Sequence, residues 1–203
     1  MQPASSATPA GQRDLDDLVA DLQHSPLQPL AAHWLDLFRR RQAVPSRSDL
    51  DPLQFPHLLK SAWLFSAEET GDFRVRLCGE QFADWYGFNP TGKTFRDICT
   101  PAVLPLLQAF ARRVIDTPCI ILQRVESKMP GWNEPAGFYR IGLPVAGRQG
   151  DVSHLVGATL FDTRYYNGLG AESSQIRHEA CYRLVPARRA ADEKPATMAL
   201  PLF

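Results

Sequence analysis

Net charge is the first thing this chain does without: 22 Lys and Arg residues cancel 22 Asp and Glu. A neutral balance supplies no field to hold a polyanion, so neither nucleic acid nor an anionic membrane is expected as the main partner. Apolar runs are short as well, and none approaches the roughly 18 residues that a membrane-spanning helix needs. Met1 to Gly11 is rich in Ser, Ala, Pro and Thr and lacks the apolar centre of a signal peptide, so a cytoplasmic protein is expected. Cys78, Cys99, Cys119 and Cys181 lie far apart, with no CxxC pair. That spacing argues against a short-spaced zinc site and for reduced thiols, and no metal is expected. Catalytic signatures are missing too: there is no HExxH, no Walker or Rossmann glycine pattern, and no ordered Ser–His–Asp or Cys–His set. His24, His33, His57, His154 and His178 are scattered over separate elements. The expectation is a non-enzymatic protein. An enzyme of unknown class, or a DNA-associated regulator, is the competing reading, because folding can gather distant residues.

What is present is a globular composition. The apolar share of 44% is close to the usual value of roughly 45–50%, and 203 residues suffice for one full domain with extensions. Strict alternation in Phe73-Arg74-Val75-Arg76-Leu77 predicts a strand with Phe73, Val75 and Leu77 on one side. Ser61-Ala62-Trp63-Leu64-Phe65 precedes it, and the polar turn Glu68-Glu69-Thr70-Gly71-Asp72 makes the two an antiparallel hairpin. Helical pieces follow at about Gly79–Trp85, Phe95–Ile98 and Pro101–Ile115, the last with Val103, Leu106, Leu107, Phe110 and Val114 on one face. Three more strands then begin at Cys119, Phe138 and Ser153, the last two joined by the turn Arg148-Gln149-Gly150-Asp151. Pro144 has no N–H to give a ladder, which predicts an edge position or a bulge.

Ahead of the hairpin, Leu15, Leu18, Val19 and Leu22 mark one helix, and Leu30, His33, Trp34, Leu37 and Phe38 mark a second that ends in Arg39-Arg40-Arg41. Asp51 and Pro52 are suited to cap and start a short helix carrying Leu53, Phe55, Leu58 and Leu59. The predicted organisation is a disordered tail over 1–13, an N-terminal helical extension over 14–44, the main domain over 45–165, a possibly helical C-terminal extension over 166–186, and a disordered tail over 187–203. The apolar stripes of the two N-terminal helices are expected outside the core sheet, where exposure would be costly. They could pack on the sheet or join two chains as a homodimer.

This order of elements resembles a PAS domain and, more narrowly, a PAS-like family of stand-alone alphaproteobacterial proteins. The residues carrying the resemblance are Pro45-Ser46-Arg47, Asp49-Leu50-Asp51-Pro52, Phe73 through Gly79, Tyr86-Gly87, Thr91-Gly92-Lys93, Leu143-Pro144-Val145 and Val156-Gly157-Ala158. It covers roughly residues 28 to 162. The resemblance implies an α+β fold: a five-stranded antiparallel sheet with helices packed on one face, plus the N-terminal helices. It also implies signal transduction, since such domains sense small molecules, light, oxygen or redox state or mediate protein contacts, and many dimerise. Inheriting the fold does not mean inheriting a cofactor. Too few residues follow the last predicted strand for an output domain, so a signal is expected to pass through association with a protein partner, under the control of an unidentified small ligand or not. A small-molecule sensor with a cavity inside the domain is the alternative.

No cofactor is expected. His154 lies on a predicted strand and His57 before the sheet, outside the helical region where haem-binding PAS domains hold their axial ligand. None of the cysteines has the Asn-Cys-Arg-Phe setting of a flavin photoadduct site. Gly79, Gly87 and Gly92 suit sharp strand–helix junctions. Trp85, Tyr86, Trp132, Tyr139 and His154 are the candidates for a pocket or interface, although Trp85 and Tyr86 are also ordinary core material. Trp132 differs because it sits in the polar loop Lys128-Met129-Pro130-Gly131-Trp132-Asn133, where it could anchor a partner or fold back over the sheet.

Overall fold

A computed structural model of the protein describes residues 12–161 and 171–184. The chain enters through a two-residue strand, β1 (Gln12–Arg13), then α1 (Leu15–Asp21) and α2 (Gln28–Arg41). Asp17 accepts the Asp14 backbone N–H at 3.1 Å, occupying one donor at the start of α1. Pro29 falls in the first turn of α2, and Gln42 closes that helix in the left-handed conformation at φ 55°. Where one short helix was expected after Asp51 there are two 3-10 turns, Pro52–Gln54 and Pro56–Leu58. The prolines cannot donate to a continuous helical ladder. Asp51 does cap the first turn, accepting from Leu53 N–H at 3.0 Å, but the Leu53 side chain points to solvent at 78% exposure rather than packing on the body.

The sheet is built from β2 (Ala62–Ala67), β3 (Phe73–Cys78), β4 (Cys119–Lys128), β5 (Ala136–Ala146), β6 (Val152–Phe161) and β7 (Ser173–Arg183). Between β3 and β4 run α3 (Glu80–Tyr86), α4 (Phe95–Ile98) and α5 (Leu104–Asp116). The strand order is β1-β7-β4-β5-β6-β2-β3, antiparallel throughout except for the parallel β1–β7 contact. The PAS-like α+β plan therefore holds, and the expected count of five strands is corrected to six long ones. The sixth, β7, occupies the stretch expected to be helical. Without it the β4 edge would present a row of unpaired backbone groups; with it, β4 and β7 pair from Cys119↔Arg183 to Lys128↔Ser173. Gln12 and Arg13, expected in a disordered tail, pair with Cys181 and Tyr182. The rest of that tail and the 187–203 tail lie outside the described residues.

Two further expectations shift in detail. Phe73 and Val75 are buried, but Leu77 is 46% exposed. Leu64 pairs with Leu77 and Phe65 with Val75, leaving Arg76 as the extra residue of a bulge. One extra residue reverses the pleat, so Leu77 emerges on the opposite face of an edge strand. Pro144 is on a central strand, yet the β4–β5 ladder stops at Ile121↔Gly142, so on that side Pro144 is locally at an edge. Its carbonyl accepts the Trp34 indole N–H at 2.8 Å.

Both faces of the sheet are covered, not one. Leu18, Leu22, Leu27, Leu30, Trp34 and Phe38 of the N-terminal segment lock into Leu64, Ile120, Ile141, Leu143, Val145 and Tyr182. The stripes expected to lie outside the core sheet are thus core of the same chain, and of the two alternatives, packing on the sheet or joining two chains, the first is the one observed. The opposite face, under α3, α4 and α5, is aromatic: Trp63, Phe65, Phe73, Phe82, Phe95 and Phe110.

Candidate functional site

The second face does not close completely. Where α3 and α5 meet the middle of the sheet there is a cavity of about 70 Å³. Alternation in the strands decides what faces it. Phe138, Arg140 and Gly142 project to this side of β5, while Ile141, Leu143 and Val145 project to the other. Thr159 and Phe161 of β6 and Val125 and Ser127 of β4 complete the sheet wall, and Trp85, Tyr86, Cys99 and Val103 close it from the helical side.

Aromatic contacts set the shape of this wall. Trp85 stacks on Phe161 at 4.4 Å between centroids and meets Phe138 edge-on at 5.9 Å. Trp63 lies flat against Phe65 at 4.2 Å, and its indole N–H donates to Thr159 Oγ1 at 2.9 Å. Trp63 can lie so close because position 157 carries no side chain. A Cβ on Gly157 would stand 2.4 Å from the indole and 2.1 Å from the Ile141 carbonyl oxygen. Gly142 makes the same concession to Phe110, whose Cζ would be 2.6 Å from an added Cβ.

Arg140 is the one cation inside this wall among the described residues that line it, and it is 7% exposed. Its guanidinium carbon sits 4.0 Å over the Phe110 ring, and its Nε donates to Gln123 Oε1 at 2.7 Å. Buried Gln123 passes the contact on, its amide donating to Glu179, which is also held by Arg113. Burial pulls the Arg140 guanidinium down to about 10, so it stays charged at neutral pH. Beside it the Tyr86 hydroxyl faces the Cys99 thiol. Burial pushes the phenol well up and the Cys99 thiol to about 11, so both are neutral at pH 7.

The sequence candidates fall in different places. Trp85 and Tyr86 come together on the cavity. Trp132, 43% exposed, remains in the β4–β5 loop, with its backbone N–H donating to Met129 at 3.2 Å. Tyr139 is 48% exposed, its ring lying under Arg124 at 5.7 Å. His154 lines a separate surface groove with Arg47, Arg76 and Arg148. Burial and the charges of Arg76 and Arg47 lower its pKa, outweighing Asp151. Arg140, Gln123 and Thr159 were not singled out from the sequence. All four cysteines are free, and among the described residues no group of three or more His, Cys, Asp or Glu side chains is placed to hold a metal. Among the same residues no helix is long and apolar enough to cross a membrane.

The family model described as "PAS domain" matches residues 22–160. The chain belongs to the PAS family. The match begins at the end of α1, so this PAS chain carries α2 within the family region. No curated protein matches it. Among solved structures, the PAS domain of Bordetella pertussis BvgS is similar at 19% identity and a TM-score of 0.43, covering 56% of this chain and 88% of that one. A structure of VqmA bound to DPO is similar at 16% identity and a TM-score of 0.40, covering 54% of this chain and 57% of that one. The Rhodobacter sphaeroides LOV protein is similar at 16% identity and a TM-score of 0.39, covering 58% and 72%. The PAS chain thus spans a little over half the length of the VqmA chain it matches.

Proposed function

We propose that this PAS protein is a non-catalytic sensory module whose interior cavity takes a small molecule and whose occupancy changes its association with a protein partner. The observation that carries the reading is the cavity between α3, α5 and the sheet, walled by Trp85, Phe138 and Phe161 and reached by Arg140, Tyr86 and Cys99. Ligand pockets combine an apolar lining with a few convergent polar groups, and this one has both. Its 70 Å³ sets the scale, well below the roughly 300–1,000 Å³ of sites for drug-sized ligands. A flavin or haem is too large for a space of this size. The partner half of the reading rests on family character and on the exposed Trp132, which belongs to the residue types that anchor interfaces.

Native mass spectrometry of freshly purified protein tests the cavity half. The expected result is a bound small molecule that dissociates on denaturation and is missing from Val103→Trp, which fills the cavity from its helical wall. A Val103→Trp protein that is folded by circular dichroism yet keeps the same adduct would overturn the reading.

A further inference from the structure

Arg140 presents a problem that the fold leaves unsolved. A buried cation is ordinarily met by a carboxylate or by a full set of acceptors. Of the five guanidinium N–H groups, one, on Nε, is taken by Gln123. The faces are occupied by aromatic rings, with Phe110 at 4.0 Å and Phe138 at 5.9 Å. Among the described residues no acceptor lies against either Nη nitrogen, and no carboxylate forms an ion pair with it. The neighbouring carboxylate, Glu179, is committed to Arg113 and to the amide of Gln123. Tyr86 and Cys99, the other groups near enough to feel the charge, are neutral. The other hydroxyls of the wall are bonded elsewhere and none of them to Arg140: Thr159 accepts from Trp63, Ser127 pairs with Ser174 at 2.7 Å, and Thr100 donates to the backbone at Glu172.

Burying a guanidinium this way is costly, and the stacking on Phe110 recovers only part of the cost. The arrangement is that of a site prepared for an anion. A planar fork with its two outer nitrogens free matches a carboxylate, which accepts two parallel N–H bonds. The apolar lining of the same cavity, Trp85, Phe161 and Val125, suits a short carbon chain. About 70 Å³ is room for on the order of five water-sized spheres, so the guest has few heavy atoms.

We propose that the cavity binds a small organic monocarboxylate, its carboxylate paired with the Nη nitrogens of Arg140 and its carbon chain against Trp85 and Phe161. This rests on the sensory reading and names the ligand class for the same cavity.

The test is titration calorimetry on the full chain with sodium acetate, propionate, butyrate and pyruvate, each against its neutral amide, with sodium chloride holding ionic strength constant. The expected result is saturable binding of at least one acid, at least tenfold tighter than its amide. In Arg140→Met that preference falls to less than threefold while any amide binding is kept. Should Arg140→Met not fold, Arg140→Lys keeps the charge but loses the fork, and the expected loss for acid over amide is at least threefold. Val103→Trp, with Arg140 intact, should bind neither. Equal affinity for acid and amide, no saturable acid binding in the wild type, or acid binding unchanged in Arg140→Met or Arg140→Lys would each overturn the assignment. A neutral molecule retained in native mass spectrometry would leave the sensory reading standing while sinking this one, so the two can fail separately.

Discussion

The two faces of the sheet are built from the same strands and finished in opposite ways. Under α1 and α2 the face is mostly aliphatic and complete. Leu18, Leu30, Trp34, Ile141 and Val145 are fully buried there, and the Trp34 indole N–H has its partner on Pro144. Under α3, α4 and α5 the face is aromatic and incomplete, with a cavity and a cation whose outer nitrogens lack acceptors among the described residues. The first arrangement maximises burial, and the second gives up packing to keep room and polarity. On the proposed reading this divides the labour: one face holds the sheet together and the other is left free to bind.

Mutation breaks the comparison most sharply when one large side chain is removed from each face. Trp34→Ala should cost about 3–5 kcal/mol, the range for deleting a buried aromatic, and it also strands the Pro144 carbonyl. Arg140→Met should cost clearly less, at most about 1–2 kcal/mol, because relieving the desolvation of a half-satisfied charge offsets the Gln123 Oε1 left without its donor. Urea denaturation measures both. Comparable large losses would mean that the cavity face is also optimised for stability and that Arg140 belongs to the scaffold.

That Arg140 escapes a reading of the sequence follows from this double cover. In Phe138-Tyr139-Arg140-Ile141-Gly142-Leu143-Pro144-Val145 the residues Ile141, Leu143 and Val145 mark an apolar face, which makes the Arg140, Gly142 and Pro144 face look solvent-exposed. Alternation tells the faces apart but does not say that the second is also roofed. Trp85 and Tyr86 stand out in the sequence as aromatic residues on a short helix after a strand-ending glycine, but residue type alone does not separate a cavity wall from ordinary core. Gln123, one polar residue in Ile120-Ile121-Leu122-Gln123, carries no signal of its own. The β2–β3 and β5–β6 hairpins were legible from their turns. By contrast, β7 was not. Its buried residues Ala180, Cys181 and Tyr182 are consecutive, and a bulge in β7 itself, with Arg177 the extra residue between Arg124↔His178 and Val125↔Ile176, breaks the period-two pattern. It is a strand because β4 needs a partner, a tertiary cause with no local signature.

A medium effect is expected where the cavity layer is pinned to the hairpin. Asp72, 3% exposed, accepts from Gln108 at 2.9 Å on α5 and from the Arg96 backbone N–H at 3.2 Å on α4. Burial opposes its ionisation, but these bonds and that from the Phe73 N–H outweigh it and hold its pKa below the ordinary value. A carboxyl depressed in the folded state contributes stability above its unfolded pKa of about 3.9, and that stability is lost as pH falls through the lower folded value. Asp72→Asn should therefore be less stable than wild type by about 1–3 kcal/mol at neutral pH, and the gap should narrow below about pH 4. Urea midpoints at pH 7 and pH 3 check it. A gap that widens in acid would contradict the sign.

The smallest effect sharpens the comparison without touching stability. Cys99 is a thiol on the cavity wall, pushed up to about 11 by burial, with the Tyr86 hydrogen bond and the charge of Arg140 pulling the other way. The thiolate is the species that alkylates, so iodoacetamide should modify Cys99 slowly at pH 7 and increasingly fast as pH approaches 11, as read by peptide mass spectrometry. Removing the cation in Arg140→Met withdraws one of the two lowering influences, and the midpoint should move higher still. Filling the Arg140 fork with a carboxylate has the same electrostatic sign, so a saturating acid should also shift the midpoint upward in the wild type and not in Arg140→Met. The thiol then reports the charge state of the cavity from within. An unchanged Cys99 profile in Arg140→Met would mean that the cation is turned away from this wall, and the contrast between the two faces would reduce to packing alone.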